Sequence, residues 1–139
     1  MRVFFWGILL ALAACGCGSD RVPTYPVSGH VQFADGEPIR TGTVELESAE
    51  FGTTATGTIQ DDGTFVLGTY KSNDGAAAGT HRAIVVQIII ADGITKHTKD
   101  HGRPVPPHYG DYSSSELSVQ VMPIEQNEVV ITLPDTTAR

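Results

Sequence analysis

The 139-residue chain predicts an all-β domain, an about seven-stranded β-sandwich, on three observations. Apolar residues recur at every second position through a series of short runs, the period of a half-buried strand. Stretches rich in Gly, Pro and Asp separate those runs and supply turn chemistry. Past residue 14 helix formers cluster nowhere; Thr, Val, Ile and Gly dominate, with 15 glycines and only 18% charged residues. The length allows one domain with a core of its own.

The runs follow in order. Val27, Gly29, Val31 and Phe33 alternate with Ser28, His30 and Gln32, and "DGEP" (Asp35 to Pro38) turns the chain. "TGTVELES" alternates Val44 and Leu46 against Thr43, Glu45 and Glu47, and "TTATGTIQ" is a Thr-rich third strand. Asp61 to Gly63 reads as a hairpin turn, after which Phe65 and Leu67 share a face. "THRAIVVQIII" (Thr80 to Ile90) is apolar on both faces and belongs near the centre of a sheet or under other cover. Ala91 to Ser115 reads as a long, solvated, mobile loop. Leu117, Val119 and Val121, then Val129, Ile131 and Leu133, mark two closing strands.

The N-terminus carries an address. Met1-Arg2 leads a ten-residue apolar run, Val3 to Leu12, too short to span a bilayer, which takes about 20 residues. It has the length of a secretory signal core. "Leu12-Ala13-Ala14-Cys15" resembles the lipobox of bacterial lipoproteins. The resemblance implies a signal peptide over 1–14, cleavage before Cys15, and diacylglycerol on its thiol. Residues 15–26 would form a lipidated tether, 27–134 the domain and 135–139 a C-terminal tail. Cys17 lacks a Leu three positions ahead, and with only two cysteines a Cys-x-Cys metal or redox site has no second pair. Several acyl chains anchor stably where one is marginal.

Without Arg2 the mature chain has 8 basic against 16 acidic residues, a formal charge of −8. Such acidity excludes a nucleic-acid partner and electrostatic adhesion to anionic lipid. The lipid is the membrane link, and the partner to expect is an envelope protein or a glycan.

From Tyr25 to Pro134 the chain resembles the transthyretin-like or carboxypeptidase-regulatory-like domains, particularly those of small planctomycete-type lipoproteins. "YPVSGHVQFADGEPIRTGTVEL", "TIQDDGTFVLGTYKSNDGAAAGTHRAIV" and "VPPHYGDYSSSELSVQVMPIEQNEVVITL" carry the likeness. It implies a Greek-key, prealbumin-like sandwich with a binding, accessory or structural role rather than an enzymatic one. Where such domains often place an aromatic after the strand-opening Gly79, this chain has His81, either a core substitute or a polar intrusion.

Candidate sites are few. His30 to Pro38 superficially resembles the opening of the 5-hydroxyisourate hydrolases, a distant third reading, with His108 an echo of their second histidine. Their Tyr-Arg-Gly-Ser tail is missing, and no catalytic residue is assigned. His97, His101 and His108, with Asp92, Asp100 and Asp111, suggest a metal. Gly102, Pro104, Pro106 and Pro107 oppose a helix there, Lys96, Lys99 and Arg103 repel cations, and no metal or cofactor is assigned. Asp61-Asp62 reads as a turn rather than a calcium loop, and Ser113 to Ser115 as loop composition. Tyr70, Tyr109 and Tyr112 are candidate ligand-binding residues, a carbohydrate platform if exposed together, against the alternative of packing or isolated surface tyrosines.

Overall fold

A computed structural model of the chain describes residues 20–89 and 100–134. The expected signal peptide, Cys15, Cys17, Asp92, Lys96, His97, Lys99 and the tail 135–139 lie outside the described residues.

Within them the protein is all-β. Its strands are β1 (Thr24–Tyr25), β2 (Val27–Phe33), β3 (Gly42–Ser48), β4 (Thr53–Ile59), β5 (Thr64–Val66), β6 (Ala76–Ala77), β7 (Gly79–Val86), β8 (Leu117–Val121) and β9 (Asn127–Leu133). They form a four-stranded sheet ordered β4-β3-β7-β8, a three-stranded sheet ordered β5-β2-β9, and the small pair β1-β6. Every described pairing is antiparallel except β2 with β9, which run parallel over all seven residues from Val27↔Asn127 to Phe33↔Leu133.

The period-2 pattern explains the layering. Val27, Val31 and Phe33 of β2, Phe65 of β5, and Ile131 and Leu133 of β9 point inward from the smaller sheet. Val44 and Leu46, Ala55 and Ile59, Ala83 and Val85, and Val119 and Val121 do so from the larger one. Both sets belong to one buried cluster, a sandwich-like core. Each large side chain buried there contributes ~1.5–3 kcal/mol, which sets the register of every strand that carries one.

Strand β7 lies between β3 and β8, as its two-sided apolarity predicts, and Ile84 is buried on the face opposite Ala83 and Val85. It ends at Val86, four residues short of the expected Ile90, because its partner β3 begins at Gly42 and Val86 pairs with Thr43. Ile88 and Ile89 are exposed.

Two strands escaped expectation. β1 falls inside the expected tether, and β6 inside "KSNDGAAAG" (Lys71 to Gly79), which reads as a Gly/Ala loop. Gly75 (φ +82°) makes their pairing feasible, since a side chain there would strike the Tyr25 carbonyl.

The described part of Ala91 to Ser115 is irregular, as read, apart from one 3-10 turn, but it is tied to the sheets rather than solvated throughout. Arg103 lies 3.7 Å over the Phe33 ring and donates to Asp35 (3.1 Å), while Arg40 bonds Asp100 (2.6 Å). The Gln87 side chain accepts from the Val105 amide (2.9 Å). A 3-10 turn, Pro107–Gly110, packs against β7 beyond the end of β8, and Ser115 Oγ donates to Ala83 O (2.6 Å). Contacts to two flanking strands, not local periodicity, order this segment.

Candidate functional site

The three tyrosines do not form a platform. Tyr109 is 3% exposed, part of the core, with its hydroxyl donating to Pro134 O at 2.6 Å. No sugar face can reach it, which corrects its placing among the ligand-binding candidates. Tyr112 is half-buried over the outer face of the larger sheet, its hydroxyl donating to Glu45 Oε1 (2.8 Å) and the Arg82 guanidinium 5.2 Å from its ring. Arg82 is itself paired to Glu47. Burial first, then the Glu45 carboxylate, pushes the Tyr112 hydroxyl far above its usual value. Tyr70 stands elsewhere, 38% exposed, accepting the Val22 N–H (3.1 Å) with Arg21 5.3 Å from its ring centre.

The histidines are equally dispersed. His30 sits on the outer face of β2 beside the Asp61–Gly63 turn, and His108 lies 3.9 Å from the Tyr109 ring against the other sheet. His30 belongs to β2 of the smaller sheet and His108 to the 3-10 turn Pro107–Gly110 packed on β7 of the larger one, and no hydrogen bond joins the two. His81 is a core residue, 1% exposed, with Nε2 2.8 Å from Ala77 O and Nδ1 without a hydrogen-bond partner. Among the described residues no three His, Cys, Asp or Glu side chains converge as a metal site would need.

The acidic turns serve the backbone. Asp62 accepts from the Thr64 hydroxyl (2.7 Å) and amide (3.0 Å), as the turn reading expects. Asp111 does the same for Ser113, and Asp35 accepts the Glu37 amide (3.0 Å). These bonds, led by the Thr64 hydroxyl, the Ser113 hydroxyl and the Glu37 amide respectively, hold all three carboxyls below the ordinary 3.8. A depressed folded value means that the stabilisation is complete above the ordinary value and lost as pH falls through the folded one. The urea midpoint should therefore drop as pH falls from about 5 to about 3, with part of the drop removed in an Asp35→Asn/Asp62→Asn/Asp111→Asn variant. An identical drop in both proteins would show that these turns carry none of it.

One concave site does emerge, where the sheets part. β4 and β5 are each the outer strand of a different sheet. Their hairpin is closed at one end by Gln60 N–H to Thr64 O (2.9 Å) and at the other by the mutual bonds of Thr56 and Gly68 (2.9 and 3.0 Å). Between these closures β5 leaves to pair with β2, and a groove of about 580 Å³ opens on the outer surface. Gly57 permits the crossing, because a Cβ there would come within 2.5 Å of Val66 O.

The groove's far wall is residues 68–73. The Asp74 carboxylate fixes it by accepting the successive amides of Thr69 (2.7 Å), Tyr70 (3.2 Å) and Lys71 (3.2 Å). Thr69 Oγ1 adds a bond to Gly75 O (2.7 Å). Asn73 in the left-handed region (φ 64°) and Gly75 turn Asp74 back onto the chain. Of the three tyrosines only Tyr70 lines this site. The sequence signal for the wall was "SNDG", Ser72 to Gly75, which reads as a turn and says nothing of what the turn faces. Comparison of the chain with protein-family models, curated proteins and solved structures finds no match.

Proposed function

We propose that the protein is an exported, lipid-anchored, non-catalytic β-sandwich that serves as a structural or protein-interaction module at a bacterial cell envelope. The observation that carries this reading is the order of the N-terminal residues: a basic lead, ten apolar residues, then Leu12-Ala13-Ala14-Cys15. Within the sandwich-like architecture, we assign a Greek-key connectivity of the transthyretin-like or carboxypeptidase-regulatory-like kind. Its support is the placing of the motifs. The V-x-G-x-V residues, Val27 to Val31, begin β2, and the D-G-x-F residues, Asp62 to Phe65, bridge from turn to β5.

A role as a module also agrees with where the charged and catalytically capable side chains are. Several of them serve turns, as Asp35, Asp62, Asp74 and Asp111 do, and Arg82 pairs with Glu47 across the sheet surface. The domain end nearest the lipid is held by Arg21 and Val22 on Tyr70, so the anchor would set the orientation of the fold above the membrane.

The test is at Cys15. In cells fed a radiolabelled or alkyne fatty acid, the wild type and a Cys17→Ser variant should carry label and sediment with membranes. Cys15→Ser should lose both. Label on the Cys15→Ser protein would assign the lipid to Cys17 and overturn the reading of the lipobox.

A further inference from the structure

The geometry points to the β4–β5 groove as a binding site for a short acidic oligosaccharide, an inference that rests on the interaction-module reading and names its ligand class. The lining decides the chemistry. Thr58, Gln60 and Asn73 offer hydroxyl and amide groups, able to donate and accept as sugar hydroxyls do. Val66, 47% exposed, gives an apolar face, and Tyr70 an aromatic one, for the C–H face of a sugar ring. Lys71 is the one charged side chain in the lining; the neighbouring carboxylates of Asp74 and Asp62 are turned onto the amides of Thr69–Lys71 and Thr64, and the whole chain has a formal charge of −7. A carboxylate-bearing sugar would gain a charge-assisted contact at Lys71 that a neutral sugar cannot make.

Two other occupants fit less well. An extended peptide adds to a free strand edge, but this groove is closed at both ends by the Gln60–Thr64 and Thr56–Gly68 hydrogen bonds. A free phosphate would seek a run of backbone amides, and the run at Thr69 to Lys71 is already filled by Asp74. The same carboxylate makes the wall rigid before any ligand arrives, which lowers the ordering cost of binding. The volume, about 580 Å³, lies in the ~300–1,000 Å³ range of small-molecule sites.

The experiment is calorimetric titration of the full chain in detergent with tri-galacturonate, a hyaluronan tetrasaccharide and sialyllactose, beside galactotriose and lactose as neutral controls. At least one acidic sugar should bind about ten-fold more tightly than the neutral controls. Lys71→Gln should erase that preference. Thr58→Tyr, at an exposed strand position that accepts an aromatic, should fill the groove and abolish binding. Absence of binding by every acidic sugar, equal binding of the neutral ones, or binding that survives Thr58→Tyr would each overturn the proposal. Fatty-acid labelling and membrane partition of the same preparation report the anchor separately, so failure of the sugar site leaves that reading standing.

Discussion

Tyr109→Ala should destabilise the domain by about 4 kcal/mol, lowering the urea midpoint without changing the slope of the transition. The ring is buried in the cluster shared by both sheets, and removing it leaves a cavity that the Pro107–Gly110 turn is too constrained to fill. Tyr109→Phe separates the contributions. It keeps the ring and loses only the hydroxyl bond to Pro134 O, a cost of about 1 kcal/mol. A loss under about 1 kcal/mol for the alanine variant would show that the ring is not part of the core's support. Since typical domains hold ~5–15 kcal/mol in all, the alanine change endangers the fold, whereas sugar contacts at an exposed tyrosine would not.

His81→Ala should cost about 3 kcal/mol. The substitution removes a wholly buried ring from β7 and leaves the Ala77 carbonyl, also buried, without a side-chain donor. Because that carbonyl can only accept, the histidine hydrogen belongs on Nε2. The ¹⁵N shifts of the ring should therefore report the Nε2–H tautomer. The opposite tautomer would break the account of the bond, and a midpoint equal to wild type would break the account of its contribution. His81 thus takes a core position, with one ring nitrogen tied to Ala77 of β6, two residues before the strand that contains it, and the other without a hydrogen-bond partner.

The parts of the fold legible in the sequence are those set by local alternation. β2, β3, β4, β8 and β9 each carry two or more large apolar residues at period two, or a Thr/Ala/Ile equivalent, and their bounds follow. β1 and β6 are two residues long, too short for any period, and exist because Thr24–Tyr25 and Ala76–Ala77 meet across half the domain. The hairpin at Asp61 to Gly63 was legible, but not that its strands join different sheets. That depends on Ser28, Gly29 and His30 taking Thr64–Val66 from β4. The groove arises from the same departure, so no stretch of sequence contains it. Tyr109 illustrates the converse: a tyrosine among prolines and serines carries no period that decides between packing and surface, and its distant neighbours make it core.

The parallel pairing of β2 with β9 has a temporal side. Val27 and Asn127 are partners, so the smaller sheet, whose β2–β5 half needs only residues up to Val66, cannot be completed until β9 is available. Bringing such remote segments together pays its loop-closure entropy before any ladder bond rewards it, which slows folding. A nascent chain would therefore keep one edge of β2 unpaired until β9 emerges.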